Sequence, residues 1–280
     1  MPSTVRTSRF PISLPLRLLV PSLVLWAGCG SPPDPEEPVE GAAPDQGSLV
    51  EHLQADRPVF GVFSGPKTRE QGAALAAETD ADFILYSMES GPFDVSEMEG
   101  YMAGMEDAGG PMTLDRLPVV LRVPPIDDVE ATRAQLDAVL PTGVAGIVFP
   151  HVARPDQAVT SAELMVESWP GDSAGSLVNI LIVEDREGIE NVREIMGTPG
   201  LSAVFAGPGD LRRAYDGDME AVEEAIQTVL SACKEFGVVC GVTAGVDDIG
   251  ERLDQGFGMI IVTEPEAVAV GKAAAARGDG

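Results

Sequence analysis

Between Pro58 and Thr263 a short apolar run rich in Val, Ile and Phe recurs eight times, and a longer segment of helical periodicity follows each run. The runs occupy residues 58–63, 82–88, 118–123, 145–150, 178–184, 203–208, 238–242 and 259–263. Near-continuous apolar character is what a strand buried on both faces requires, whereas a strand with one wet face alternates. The intervening segments, such as "VSEMEGYMAGMEDA" and "REGIENVREIMG", space their apolar residues three and four apart, as a helix with one buried stripe does. Strict alternation of strand and helix predicts a parallel sheet, because each parallel neighbour needs a crossover connection. Eight such units within residues 48–280 predict an α/β fold of the (β/α)8 TIM-barrel type. The alternative is a doubly wound open sheet. It normally carries a glycine-rich phosphate loop after its first strand, and "FSGPKTREQG" lacks that spacing.

The preceding residues belong to a different system. Arg6, Arg9 and Arg17 lead into "LLVPSLVLWAGC", an apolar run too short for a permanent membrane span, which predicts an export signal over residues 1–29. Its ending, "LWAGC", resembles a bacterial lipobox and makes Cys29 the expected lipidation site, with Trp26 where that pattern usually has Leu. The chain is then expected to be exported and anchored by lipid to a bacterial membrane, facing the periplasm or the exterior. Ordinary signal cleavage beside a chance Cys is the other reading. Residues 30–47, "GSPPDPEEPVEGAAPDQG", are too rich in Pro, Gly and acids to pack a core and read as a tether. Residues 48–280 then form a single barrel domain.

A formal charge of −27 excludes duplex nucleic acid as a partner, since phosphate binding needs clustered Lys and Arg. Cys233 and Cys240 flank a helix-to-strand junction, where export permits a disulfide and buried free thiols are the simpler expectation. No Cys/Cys or Cys/His spacing points to a structural zinc site.

A TIM barrel places its chemistry at the C-terminal ends of its strands. The polar residues there are Ser87, Glu89 and Ser90 after strand two, Arg122 at strand three, His151 after strand four, Glu184 at strand five and Asp210 after strand six. Glu184 and Asp210 end adjacent units. Two hard oxygen ligands with the other positions left to water and substrate describe an open Mg2+ or Mn2+ site. Strand-end carboxylates also cap helices, which is the structural alternative. Gly207, Pro208 and Gly209 form the turn before Asp210, where backbone N–H groups can receive an anion, and Arg122 offers a planar fork to a carboxylate. His151 reads either as a proton carrier or as a loop histidine. Ser90 would act as a nucleophile only beside a base, and none is visible.

Taken together, "RPVFGVF", "MESGPFDV", "VVLRVPP", "IVFPHVARPDQA", "LIVEDREGIENV" and "VFAGPGDL" resemble the HpcH/HpaI aldolases. These are class II pyruvate aldolases of the phosphoenolpyruvate/pyruvate barrel superfamily, related to citrate lyase β subunits. The resemblance runs from about Leu49 to Lys272. It implies that Glu184 and Asp210 are ligands of Mg2+ or Mn2+, that Arg122 binds the pyruvate carboxylate, and that Glu89 is the acidic member of the second turn. It also implies a possible homo-oligomer.

The chain departs from the family where the second turn should carry a His acting with a nearby Asp, for Ser90 and Ser87 stand there. Ile182 replaces a Gln that helps hold the keto acid in some members, and the loop before strand five is short. The expected function is a divalent-metal-dependent carbon–carbon lyase, of aldolase or β-keto-acid decarboxylase type, acting on a small 2-oxo acid or dicarboxylate through a pyruvate enolate. Arg122, Glu89 and His151 are its candidate catalytic residues, and Arg122, Ser90 and the 207–209 turn its substrate-binding surface. The alternative is a catalytically degenerate, membrane-tethered barrel that binds a small carboxylate or a protein.

Overall fold

The computed structural model describes residues 48–169 and 177–278. The export signal, Cys29 and the 30–47 segment lie outside them. Eight parallel strands close on themselves: β1 (Val59–Phe63), β2 (Phe83–Ser87), β3 (Val119–Arg122), β4 (Gly146–Phe149), β5 (Val178–Val183), β6 (Ala203–Ala206), β7 (Val239–Ala244) and β8 (Met259–Val262). Each strand pairs with its sequence neighbour, and β8 pairs back to β1 through Val59–Met259, Phe60–Ile260 and Gly61–Ile261. The expected (β/α)8 barrel is the observed fold.

Strand parity divides the core in two. Phe83, Leu85, Val120, Val148, Ile180, Ile182, Phe205 and Ile261 belong to one buried cluster that fills the lumen. The alternate residues, among them Ile84, Tyr86, Leu121, Ile147 and Leu181, join the apolar stripes of the outer helices. The lumen fits only because small residues sit beside large ones. A Cβ on Gly61 would lie 2.2 Å from the Phe83 ring, and one on Gly241 would lie 2.3 Å from that of Phe205.

Three helices were not evident in the sequence pattern. The first, α1 (Leu49–Gln54), sends Leu49 and Leu53 into the lumen cluster and closes the N-terminal end of the barrel. Its start is fixed by a capping box in which Ser48 Oγ accepts from Glu51 N–H and Glu51 accepts from Ser48 N–H. The helices α2 (Arg69–Glu78), α3 (Val95–Gly109), α5 (Val129–Val139), α6 (Pro155–Ser168), α7 (Arg186–Met196), α9 (Met219–Phe236), α10 (Ile249–Gln255) and α11 (Ala267–Gly278) follow the predicted pattern. The second addition is one turn, α4 (Thr113–Arg116), before β3. The third, α8 (Pro208–Ala214), begins where the sixth strand was expected to continue. Pro208 at the first helical position fixes that start, so β6 ends at Ala206.

Closure is reinforced outside the sheet. Lys272 of α11 bonds Asp82 at 2.8 Å, and the same carboxylate accepts the Phe60 N–H at 2.8 Å, tying the last helix to the first two strands. Cys233 and Cys240 are free, buried thiols, and burial pushes the Cys240 thiol upward. No helix among the described residues is long and apolar enough to cross a membrane.

Candidate active site

The lumen-facing parity continues one step past the apolar layer and there becomes polar. Above Leu85 stands Ser87, above Val120 stands Arg122, above Ile182 stands Glu184, and above Phe205 stands Gly207. The parallel register sets Ser87 directly beside Arg122 and Val183 beside Ala206. Three of these residues, Arg122, Glu184 and Gly207, line a cavity of about 280 Å3 at this end of the barrel.

Arg122 is held in place from two sides. Its Nε donates to Ser87 Oγ at 2.9 Å, and its Nη2 lies 3.0 Å from Glu89 Oε2. Ser87 Oγ also accepts the Glu89 N–H at 3.3 Å, which folds the turn so that the Glu89 carboxylate returns to the mouth. Arg122 Nη1 has no protein partner among the described residues.

The other Glu89 oxygen, Oε1, faces His151 Nε2 at 3.2 Å, and His151 Nδ1 faces Glu184 Oε1 at 3.2 Å. Glu184 Oε1 also accepts the His151 backbone N–H at 2.9 Å. This double grip accounts for the backbone of His151, which sits at φ +54°, a left-handed conformation unusual for a residue with a Cβ. Ser87, Arg122, Glu89, His151 and Glu184 thus form one continuous chain drawn from β2, β3, β4 and β5.

Glu184 is the electrostatic centre. Only 3% of it is exposed, and burial pushes its carboxyl up to about 7. The His151 N–H and ring oppose that rise, while the charges of Asp210 and Glu89 add to it. No Lys or Arg bonds Glu184 among the described residues. Gly207 is what lets β6 approach so closely, since a Cβ there would lie 2.5 Å from Glu184 Oε2.

Asp210, in the first turn of α8, lines the same cavity and pairs with Arg213 one turn on. Of the preceding turn, the Gly207 N–H bonds Val183 O at 3.2 Å and Pro208 has none. Among these three residues, Gly209 alone retains a free N–H for an anion. Ser90 is exposed and does not line the cavity, so it is not placed to bind substrate there; Ser87 does not line it either and acts through its bond to Arg122.

Glu89, His151 and Glu184 also satisfy a geometric criterion for holding a metal ion, with one donor atom from each within 4.8 Å of the others. That grouping had no sequence signature, because it depends on three strand ends meeting. Thr243, Thr263 and Phe63 likewise line the mouth and were overlooked. Extending the lumen parity of β7, β8 and β1 by one step would have found them.

Comparison with known proteins places these observations. The family model described as HpcH/HpaI aldolase/citrate lyase matches residues 61–263. The chain is 26% identical over 217 residues to the 2-dehydro-3,6-dideoxy-6-sulfogluconate aldolase of Pseudomonas putida, covering 69% of this chain and 81% of that one. Among solved structures it resembles an HpcH/HpaI aldolase/citrate lyase family protein from Burkholderia cenocepacia, with TM-score 0.67, 22% identity, and coverage of 82% of this chain and 98% of that one. It also resembles the citrate lyase β subunit of M. tuberculosis complexed with oxaloacetate and magnesium, with TM-score 0.58, 19% identity, and coverage of 80% and 99%. At these identities the two structures speak for the fold alone.

Proposed function

The chain belongs to the HpcH/HpaI aldolase/citrate lyase family, and from the arrangement at its barrel mouth we propose that it is a divalent-metal-dependent carbon–carbon lyase acting on a small 2-oxo acid. The observation that carries this reading is Glu184. It is a buried carboxylate with no Lys or Arg bonded to it among the described residues, facing a cavity that Asp210 also lines and Arg122 borders.

A divalent cation fits these residues. Glu184 and Asp210 offer hard oxygen donors to the cavity, and a 2+ charge would offset the desolvation that holds the Glu184 carboxyl up. Glu89 and His151 satisfy each other and Arg122, and neither lines the cavity, which makes the oxygen pair the better holder. That set suits Mg2+ or Mn2+. When bound, such an ion supplies positive charge where an enolate oxygen develops.

Arg122 receives the substrate carboxylate on the guanidinium edge left open by Ser87 and Glu89, so the clamp is oriented before substrate arrives. Cleavage breaks the bond between C3 and C4 of the 2-oxo acid and leaves the electron pair on C3, delocalised to the C2 oxygen as pyruvate enolate. In retro-aldol cleavage the C4 hydroxyl must also lose its proton. Water, or His151 at the edge of the mouth beside Glu89 Oε1, takes that proton. Decarboxylation of a β-keto acid breaks the equivalent bond without this proton transfer. It is therefore the chemistry less affected by the serines at 87 and 90. As part of the same proposal Cys29 carries a lipid and the barrel works outside the cytoplasm, with residues 1–29 as support.

The test is calorimetric titration of the purified protein with Mn2+ and then with oxalate, a mimic of the pyruvate enolate. Oxalate binding should require Mn2+, vanish in Glu184→Ala and weaken by about 10- to 100-fold in Arg122→Met, the range for loss of one charge-assisted contact. Turnover of oxaloacetate or of a 4-hydroxy-2-oxo acid then completes the case. Binding without turnover would favour the carboxylate-binding barrel, and no metal binding would overturn the reading.

A further inference from the structure

The wall of the mouth cavity is uneven in charge. Phe63, Leu85, Ile182, Phe205 and Ile261 supply most of its side-chain surface, and Arg122 is the one cation among its described residues. Two carboxylates, Glu184 and Asp210, share that wall with it. The guanidinium of Arg122 already has Nε on Ser87 and Nη2 on Glu89, so it has room for one carboxylate. Arg213, on α8, is engaged by Asp210.

The neutral polar groups are few as well. The Thr263 hydroxyl bonds Glu264 at 2.8 Å, and that carboxylate also meets the Val246 N–H at 3.4 Å, adding negative charge beside the mouth. Thr243 makes no side-chain hydrogen bond among the described residues and is left to meet a neutral oxygen of the ligand. Beyond Arg122 and the divalent ion that Glu184 and Asp210 would hold, a second anion at the far end of a substrate would find no cationic side chain among the lining residues, with Glu264 beside the mouth. A burial without a partner of that kind is how a site rejects a competitor.

We propose that beyond the carboxylate held by Arg122 and the carbon at which the bond breaks this cavity accepts a short uncharged tail, and that it discriminates against substrates with an anion further out, at C5 or beyond. Phe63, Ile182 and Ile261 are the residues that set this preference. Ile182 forms part of the floor directly below Glu184, and Phe63, 43% exposed at the end of β1, stands at the opening where a tail would emerge. The selection rests on the 2-oxo acid reading of the site given above, and it concerns the half of the ligand that Arg122 does not hold.

The experiment compares two unreactive ligands with the same head, 2-oxobutyrate and 2-oxoglutarate, by calorimetric titration of the purified protein with Mn2+ present. 2-Oxobutyrate should bind at least about 10-fold tighter, the size of effect expected of one unpaired charge. Phe63→Arg, at an exposed position of the lining, should raise the affinity for 2-oxoglutarate relative to that for 2-oxobutyrate by about 10-fold. Equal or tighter binding of 2-oxoglutarate to the wild type would overturn the selection and leave the lyase reading standing. Failure of both ligands to bind, with Mn2+ bound, would remove the 2-oxo acid reading and the selection with it.

Discussion

Glu184 concentrates more of this protein's chemistry than any other side chain, because one nearly buried carboxyl orients His151, borders the cavity and faces two other acids. Its position has a consequence for stability. Burial raises its carboxyl from 4.5 to about 7, so without a divalent ion the folded chain keeps a proton there that the unfolded chain releases. Stability must then fall as pH rises from about 4.5 to about 7 and level off above, by about 3 kcal/mol in all if no ion binds. Glu184→Gln removes the titration while keeping the shape. In chelator, its urea midpoint should change less than the wild type's between about pH 5 and about pH 8, and it should exceed the wild type's at the upper end. Parallel pH curves for the two proteins would mean that the carboxyl is not held up by burial. Adding Mn2+ at about pH 8 should raise the wild-type midpoint and leave that of the variant in place, since a ligand that binds only the folded state stabilises it.

Elements meet in this barrel by matching large residues with small ones across neighbouring strands. Gly241 on β7 receives the Phe205 ring of β6, and Gly61 on β1 receives that of Phe83 on β2. Gly241→Ala should therefore cost about 1–3 kcal/mol through overpacking, read as a lower urea midpoint with an unchanged slope. A second change, Phe205→Leu, should recover part of that loss, because the two positions share one volume. Additive losses would show that the ring relocates freely. The strands were legible in the sequence because a run such as "MIIV" is apolar throughout, whichever face each residue takes. The short helix α8 was not, because "GPGDLRRA" carries only one buried side chain, Leu211, and so lacks a periodic stripe. Helix α1 buries Leu49 and Leu53 but is only six residues long, too short for the stripe to repeat, although Ser48 and Glu51 spell a capping box. Single strand ends could be read at Arg122, Glu184 and Asp210. The Glu89–His151–Glu184 contact could not, since it arises from the register of β2 to β5 and from a left-handed backbone at His151.

At the scale of the whole molecule, the proposed lipid on Cys29 would tie a strongly acidic chain to a membrane. With a formal charge of −27 the protein is repelled by an anionic leaflet over roughly one Debye length, about 8 Å at physiological salt. Residues 30–47, themselves acidic, could reach at most about 60 Å from a lipid-bearing Cys29, far beyond that distance. With Cys29 lipidated as proposed, charge and tether would act together: repulsion would keep the barrel off the surface, and the covalent anchor would prevent its loss. Both depend on Cys29 being the modified residue. In the host cell, Cys29→Ser should move the protein from the detergent-requiring membrane fraction to the soluble fraction, while purified variant and wild type bind oxalate with Mn2+ equally. Soluble wild-type protein would overturn the anchor, and a membrane-bound Cys29→Ser variant would shift it to another residue. Loss of oxalate binding in that variant would instead show that the segment before Ser48 contributes to the site.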